Sequence, residues 1–215
     1  MVKKKQNIEL VDNLKKSGYI CSEKVEQAFL TVDRGLFVPA SIKKFAYIDN
    51  PLEIGNDQTI SAPHMVAIMA EALDIKPGQN ILEIGTGSGY HAAIVSYITG
   101  IQGHIHSIER IPLLAVTAKK NLQHAGITNV EVHEGDGSLG LQKYEPYDRI
   151  YVTCASPSIP PPLTEQLIEG GKLLIPVGRL FCELKLVEKR NKTCIIKDLG
   201  DCAFVPLIGT YGFKS

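Results

Sequence analysis

Between Gln79 and Gly178, short apolar runs alternate with longer stretches of helical periodicity, and a chain with that rhythm has few ways to fold. The spacing predicts strands at 80–84, 104–108, 129–133, 147–153 and 172–175, with helices at 88–99, 112–124 and 163–168. Strands joined through helices of about 10–13 residues must run parallel, with both faces of the sheet covered. Past Gly178 the pattern becomes hairpin-like: 183–188, a turn at 190–192, then 193–199 and 203–207. Upstream, Ile8, Val11 and Leu14 mark a helix over 6–17, and Val25, Ala28, Phe29 and Val32 mark another over 23–31, with Ser22 as its N-cap. Residues 33–58 read as turn-rich and irregular, with one short helix from Ser41. Ser61-Ala62-Pro63 reads as a helix start, a hydroxyl cap followed by proline in the first turn, and the helix runs to about Asp74. The expected fold is α/β: a doubly wound, mostly parallel sheet with N-terminal helices and an antiparallel C-terminal finish.

The chain has 215 residues, 44% of them hydrophobic, enough for one domain with a core of its own. Within that domain, 1–75 is the helical and substrate-side segment, 76–178 the ligand-binding core and 179–215 the antiparallel end. Lys plus Arg and Asp plus Glu are 23 each, and a net charge of zero argues against bulk capture of nucleic acid or an anionic membrane. No run approaches the ~18 apolar residues of a membrane span, and Glu9 and Asp12 interrupt the basic N-terminus before any signal core forms. A cytoplasmic, monomeric protein is expected. The five cysteines contain no C-x-x-C and read as reduced thiols.

The sharpest local signal is Ile81-Leu82-Glu83-Ile84-Gly85-Thr86-Gly87-Ser88-Gly89-Tyr90. Alternate glycines after a buried strand let the backbone turn tightly against a flat ligand at the carboxyl end of the sheet. A nicotinamide fingerprint needs a third glycine where Tyr90 stands, whereas G-x-G-x-G is the usual loop of S-adenosylmethionine methyltransferases. The next strand ends at Glu109, 24 residues beyond Gly85, where a carboxylate can accept both ribose hydroxyls. After the third strand comes Glu134-Gly135-Asp136-Gly137, which places Asp136 either against an adenine edge or as an ordinary turn residue. His104 and His106 share a strand face but have no acid or cysteine cluster beside them in sequence, so no metal is expected.

With these features aligned, the flanking segments resemble the protein-L-isoaspartate O-methyltransferase family over nearly the whole chain. The carrying residues are Asp33-Arg34, Phe37-Val38-Pro39, Asp49-Asn50-Pro51-Leu52, Ile54-Gly55 and Gln58-Thr59-Ile60-Ser61-Ala62-Pro63-His64-Met65. Further along are Gly135-Asp136-Gly137, Pro146 to Ile150, Gln166-Leu167, Gly170-Gly171, Ile175 to Gly178, and Phe204 to Leu207 with Gly209. The resemblance implies a Rossmann-like methyltransferase fold, S-adenosyl-L-methionine as cofactor (S-adenosyl-L-homocysteine as product), and isoaspartyl peptides and proteins as substrates. It implies that Gln58, Thr59, Ile60, Glu83, Gly85, Thr86, Gly87, Ser88, Glu109, Arg110, Asp136 and Gly137 form the cofactor side. Ser61 is implied as the catalytic contact to the substrate carboxylate, with His64, Val205, Pro206 and Leu207 on the substrate side. His91, where glutamine is frequent, and Cys154-Ala155-Ser156-Pro157 depart from the commoner pattern. Another methyltransferase of small molecules or RNA, and a cofactor-binding module without catalysis, are the competing readings.

Overall fold

The computed structural model describes residues 2–179 and 181–214. Helices α1 (Val2–Lys16) and α2 (Glu23–Thr31) pack together, with the Asn7 side chain donating to the Phe29 carbonyl at 2.9 Å. Ser22 caps α2, its hydroxyl accepting from the Val25 N–H. A short 3-10 helix follows at Ala40–Phe45. Part of the segment expected to be irregular forms a hairpin, β1 (Leu52–Gly55) with β2 (Gln58–Ile60). Its turn residues Asn56 and Asp57 have φ of 53° and 57°, the left-handed pair that a tight hairpin needs and that these two residue types tolerate best. Helix α3 (Pro63–Leu73) comes next.

The main sheet is built from β3 (Asn80–Ile84), β4 (His104–Glu109), β5 (Val130–Glu134), β6 (Tyr147–Val152), β7 (Leu167–Gly178), β8 (Cys182–Arg190) and β9 (Thr193–Cys202). The crossover helices are α4 (Tyr90–Thr99), α5 (Pro112–His124) and α6 (Pro161–Glu165). Spatial order is β5-β4-β3-β6-β7-β8-β9; the strands from β5 to β7 are parallel, and β8 and β9 add antiparallel. Chain order reverses on either side of β3, so its carboxyl end is the switch point where such sheets take ligands. One core cluster joins α1 to α5 with residues such as Ile81, Ile105 and Leu174; the other holds Leu82, Ile150 and Leu173 beneath Leu163 of α6 and Leu207 of the tail. Arg34 is fully buried, its guanidinium 4.9 Å from the ring centre of Tyr90, and so ties the N-terminal segment to the first residue of α4. No helix among the described residues is long and apolar enough to cross a membrane.

Three local expectations are corrected. Ser61 does not cap α3: Pro63 takes the first helical position, which makes Ala62 the cap residue and leaves the Ser61 hydroxyl outside the helix. Leu167 and Ile168 belong to β7 rather than to a helix; Leu167 pairs with Tyr147, and an irregularity at Gly170-Gly171 absorbs the extra residues before Lys172 meets Arg149. The segment 203–207 is no third antiparallel strand. It leaves β9 and crosses to Ala155, whose N–H donates to the Val205 carbonyl at 2.8 Å and whose carbonyl accepts from Leu207 at 2.7 Å. Pro206 has no N–H to extend that pairing into a ladder.

Candidate active site

The carboxyl end of β3 opens into a cleft walled by the glycine loop, residues 58–61 and residues 205–208. Gly85, at its floor, has φ of 91°, and a Cβ there would lie 2.4 Å from the Thr153 hydroxyl oxygen. That hydroxyl donates to the Gly85 carbonyl at 2.5 Å and the Ile84 carbonyl at 3.1 Å, so β6 holds the glycine loop at a separation that only glycine permits. Gly87 also has positive φ, at 54°.

Glu109, at the end of β4, is almost wholly buried, and its two oxygens accept the Gly87 and Ile111 backbone N–H groups, each at 2.9 Å. Each oxygen keeps a free lone pair, so the carboxylate can accept two further donors from the cleft, which is what a ribose diol offers. The bared glycine backbone and this oriented carboxylate therefore fit an adenosine-bearing ligand.

Of the residues singled out in the sequence, Gln58, Thr59, Ile60, Ser61, Gly85, Thr86, Gly87, Ser88, Glu109, Arg110 and Gly137 all line this cleft, as do Val205, Pro206 and Leu207. Two expected cofactor residues do not. Glu83 points into the protein, fully buried, and burial pushes its carboxyl up to about 8. It accepts from the Ser107 hydroxyl, and Ser107 in turn shares a hydrogen bond of 2.6 Å with Thr86. Glu83 thus supports the glycine loop from behind. Asp136 is also off the wall: it accepts from Ser138 N (2.9 Å), Ser138 Oγ (2.6 Å), Thr210 N (2.7 Å) and Thr210 Oγ1 (2.8 Å). Partial burial opposes its charge, but these donors outweigh that and hold its pKa below the ordinary carboxylate value. Asp136 anchors the C-terminal tail, and its neighbours Gly135 and Gly137 face the cleft.

A second cleft adjoins the first and is lined by His64, Met65, Cys202, Phe204 and others. Thr59, Ser61, Thr153 and Val205 line both. The two cavities thus share a wall that carries three hydroxyl groups. His64 is fixed by Asp49, whose Oδ1 accepts from both the His64 backbone N–H and ring Nδ1 at 2.9 Å. No local pattern in the sequence marks Asp49 or Thr153 as a site residue. Asp49 lies fifteen positions from its partner, and Thr153 presents only as the end of a strand.

Other reactive side chains on the wall are quiet. His91 packs on the Tyr151 ring with centroids 4.5 Å apart, and burial drives its pKa down to about 3, so the imidazole stays neutral. Burial pushes the Cys154 thiol well above its usual range, which keeps it protonated.

A parallel sheet with its ligand cleft at the switch point, a glycine loop without the third dinucleotide glycine and a carboxylate closing the next strand define an S-adenosylmethionine-dependent methyltransferase. The profile of the family described as protein-L-isoaspartate(D-aspartate) O-methyltransferase matches residues 4–212, and the chain belongs to that family. A protein-L-isoaspartate O-methyltransferase of Pyrococcus horikoshii is 55% identical over 207 residues, covering 95% of this chain and 93% of its own. Among solved structures, a protein-L-isoaspartate O-methyltransferase superposes with TM-score 0.87 at 31% identity, covering 96% of this chain and 67% of its own. A Plasmodium falciparum relative, solved with S-adenosyl-L-homocysteine, gives TM-score 0.83 at 28% identity over 93% of this chain and 97% of its own. The protein is an enzyme that methylates isoaspartyl residues of proteins with S-adenosyl-L-methionine.

Proposed function

We propose that the wall shared by the two clefts is the site of methyl transfer, with the cofactor in the cleft at the carboxyl end of β3 and the isoaspartyl peptide in the second. The observation that carries this reading is that Thr59, Ser61, Thr153 and Val205 border both cavities. Gly85, Gly87 and Ser88 receive the amino-acid end of the cofactor. Glu109, with Arg110 beside it, holds the ribose, and the backbone at Gly135 and Gly137 meets the adenine. When bound, S-adenosylmethionine supplies a methyl group already activated on a positively charged sulfur.

The substrate's free α-carboxylate has a pKa of roughly 3.3–3.7 and is ionised at pH 7, so the nucleophile needs no base. The quiet side chains fit that economy: His91 is too acidic to serve, and the Cys154 thiol is protonated. The protein's task is alignment. The Ser61 hydroxyl, free of helix capping, donates to one carboxylate oxygen and leaves the other facing the methyl. The extended 203–207 segment lies along the peptide backbone, a mode of recognition that reads main chain more than side chain. Excluding water from the wall favours an anion and a cation that merge into neutral products.

The product is a methyl ester. Outside the enzyme, the following amide nitrogen attacks the ester carbonyl, methanol leaves and a succinimide forms; hydrolysis then returns part of the material to the normal linkage. The same pocket accepts D-aspartyl residues in so far as their carboxylate reaches Ser61. The test is a set of matched peptides carrying isoaspartate, D-aspartate or L-aspartate, given methyl-labelled S-adenosylmethionine. Preferential labelling of the isoaspartyl peptide is expected, with D-aspartyl labelling second; equal labelling of the L-aspartyl peptide overturns the assignment of the second cleft.

A further inference from the structure

His106 on β4 and Glu131 and His133 on β5 project from one face of the sheet, three residues upstream of Glu109 along β4, about 10 Å from the strand end that serves the cofactor. His106 and Glu131 are register partners, and His133 follows Glu131 by the two-residue period that returns a side chain to the same face. The sequence supplies no acid beside His104 and His106, which is why it suggests no metal; strand pairing supplies both an acid and a second imidazole. We propose that His106, His133 and Glu131 bind a divalent transition cation, with zinc(II) as the best fit, at a site separate from methyl transfer.

Three observations carry this. First, His106 Nδ1 and His133 Nε2 are 3.3 Å apart. Two nitrogens each about 2.05 Å from a tetrahedral zinc are separated by about 3.3 Å, so the pair already has the spacing of two zinc ligands. Second, the Glu131 carboxylate faces both nitrogens, with Oε2 3.8 Å from His106 Nδ1 and Oε1 3.8 Å from His133 Nε2. The side chain is 58% exposed and has the freedom to turn one oxygen toward both nitrogens. All three ligand atoms lie within 4.8 Å of one another. Third, the rings are fixed. Tyr144 stacks on His106 with centroids 4.0 Å apart and planes at 17°, and its hydroxyl donates to Glu131 Oε1 at 3.4 Å.

The donor set is two imidazoles and one carboxylate, with the fourth position open on the solvent side. It suits zinc, and in part nickel and copper, over calcium or magnesium, which prefer oxygen-only shells. In the metal-free pair one imidazole donates to the other; on binding, the donating ring shifts its proton to its second nitrogen, so both facing lone pairs reach the metal without net proton release. Burial lowers the pKa of both histidines, with Lys143 and Lys119 nearby adding to the effect, and this keeps the rings neutral for ligation. These lysines also tax the affinity, because each repels the incoming cation.

The experiment is calorimetric titration of the full chain with zinc chloride, followed by cobalt(II) substitution read by visible absorption. Saturable binding of one zinc per chain and the intense ligand-field bands of a tetrahedral cobalt site are expected. Glu131→Gln and His133→Gln should each weaken zinc at least ~10-fold. Changing the exposed thiols, Cys21→Ser with Cys194→Ser, should leave affinity as it was. Glu131→Gln is a surface change, so its folding is expected to be intact and its methyl-transfer rate without zinc should match the wild type. No saturable binding to the wild type, binding undiminished in the Glu131→Gln/His133→Gln double variant, or binding lost only with the cysteines each overturns the proposal.

Discussion

Replacing Ser61 with alanine separates two roles that its position before a helix invites. Had Ser61 been the cap of α3, its loss would cost about 1 kcal/mol of stability. The cap residue is Ala62, so Ser61→Ala should leave the melting temperature within about a degree of wild type. In the proposed mechanism it removes a hydrogen bond to an ionised carboxylate, worth ~1.5–3 kcal/mol. If that bond holds the carboxylate in line with the methyl, the loss appears as roughly a 10- to 150-fold drop in kcat/KM for an isoaspartyl peptide. Affinity for S-adenosylhomocysteine should change little, because the proposed cofactor contacts are Glu109 and the glycine loop. The assay is labelled methyl transfer to peptide, run beside calorimetry of product-cofactor binding and thermal unfolding. A variant with wild-type kcat/KM removes Ser61 from the mechanism. A variant that melts several degrees lower refutes the capping assignment instead.

Gly85→Ala places a Cβ 2.4 Å from the Thr153 oxygen at a φ of 91°, and should cost ~2–4 kcal/mol of stability together with most cofactor binding, read by unfolding and by titration with S-adenosylhomocysteine. Glu83 has a folded-state pKa near 8 against 4.5 for the free group, so the unfolded state loses its proton first and stability falls as pH rises between those values. Glu83→Gln has no such titration, so its stability relative to wild type should climb by a few kcal/mol from pH 5 to pH 8, measured by denaturant unfolding at each pH; a flat difference contradicts the buried neutral carboxyl. Asp136→Ala unties Thr210 and Ser138 and should cost about 1 kcal/mol, the low end because the group is partly solvated. Since its folded pKa lies below the ordinary value, that contribution is present above the unfolded pKa and is lost as pH falls, so variant and wild type should converge in acid.

The sequence was most informative where chemistry is local. The strands and helices of the parallel core follow from short segments of five or six residues carrying isoleucine and leucine and from the helical periodicity between them, and the glycine loop and Glu109 from their positions after β3 and at the end of β4. Ser22 was readable as a cap because serine there precedes an unambiguous helix. Ser61 resembles a cap in sequence because two residue types compete for the start of α3, and proline, which fixes its own φ, sets the register. The roles of Glu83 and Asp136 were hidden for a different reason. Each sits beside the glycines that line the cleft, but the pleat of β3 turns Glu83 inward, and a tail more than 70 residues away captures Asp136. Contacts between distant segments were the illegible part: Asp49 with His64, Thr153 with Gly85, and His106 with Glu131 and His133. Each depends on strand or loop pairing that no local pattern encodes.

The most direct test of the shared wall is a crystal structure with S-adenosylhomocysteine and an isoaspartyl peptide bound together. An α-carboxylate within about 3 Å of the Ser61 hydroxyl, its other oxygen aimed at the cofactor sulfur and the peptide running beside residues 203–207, is the arrangement predicted here. A carboxylate seated away from Ser61, or a peptide lying outside the second cleft, would contradict it.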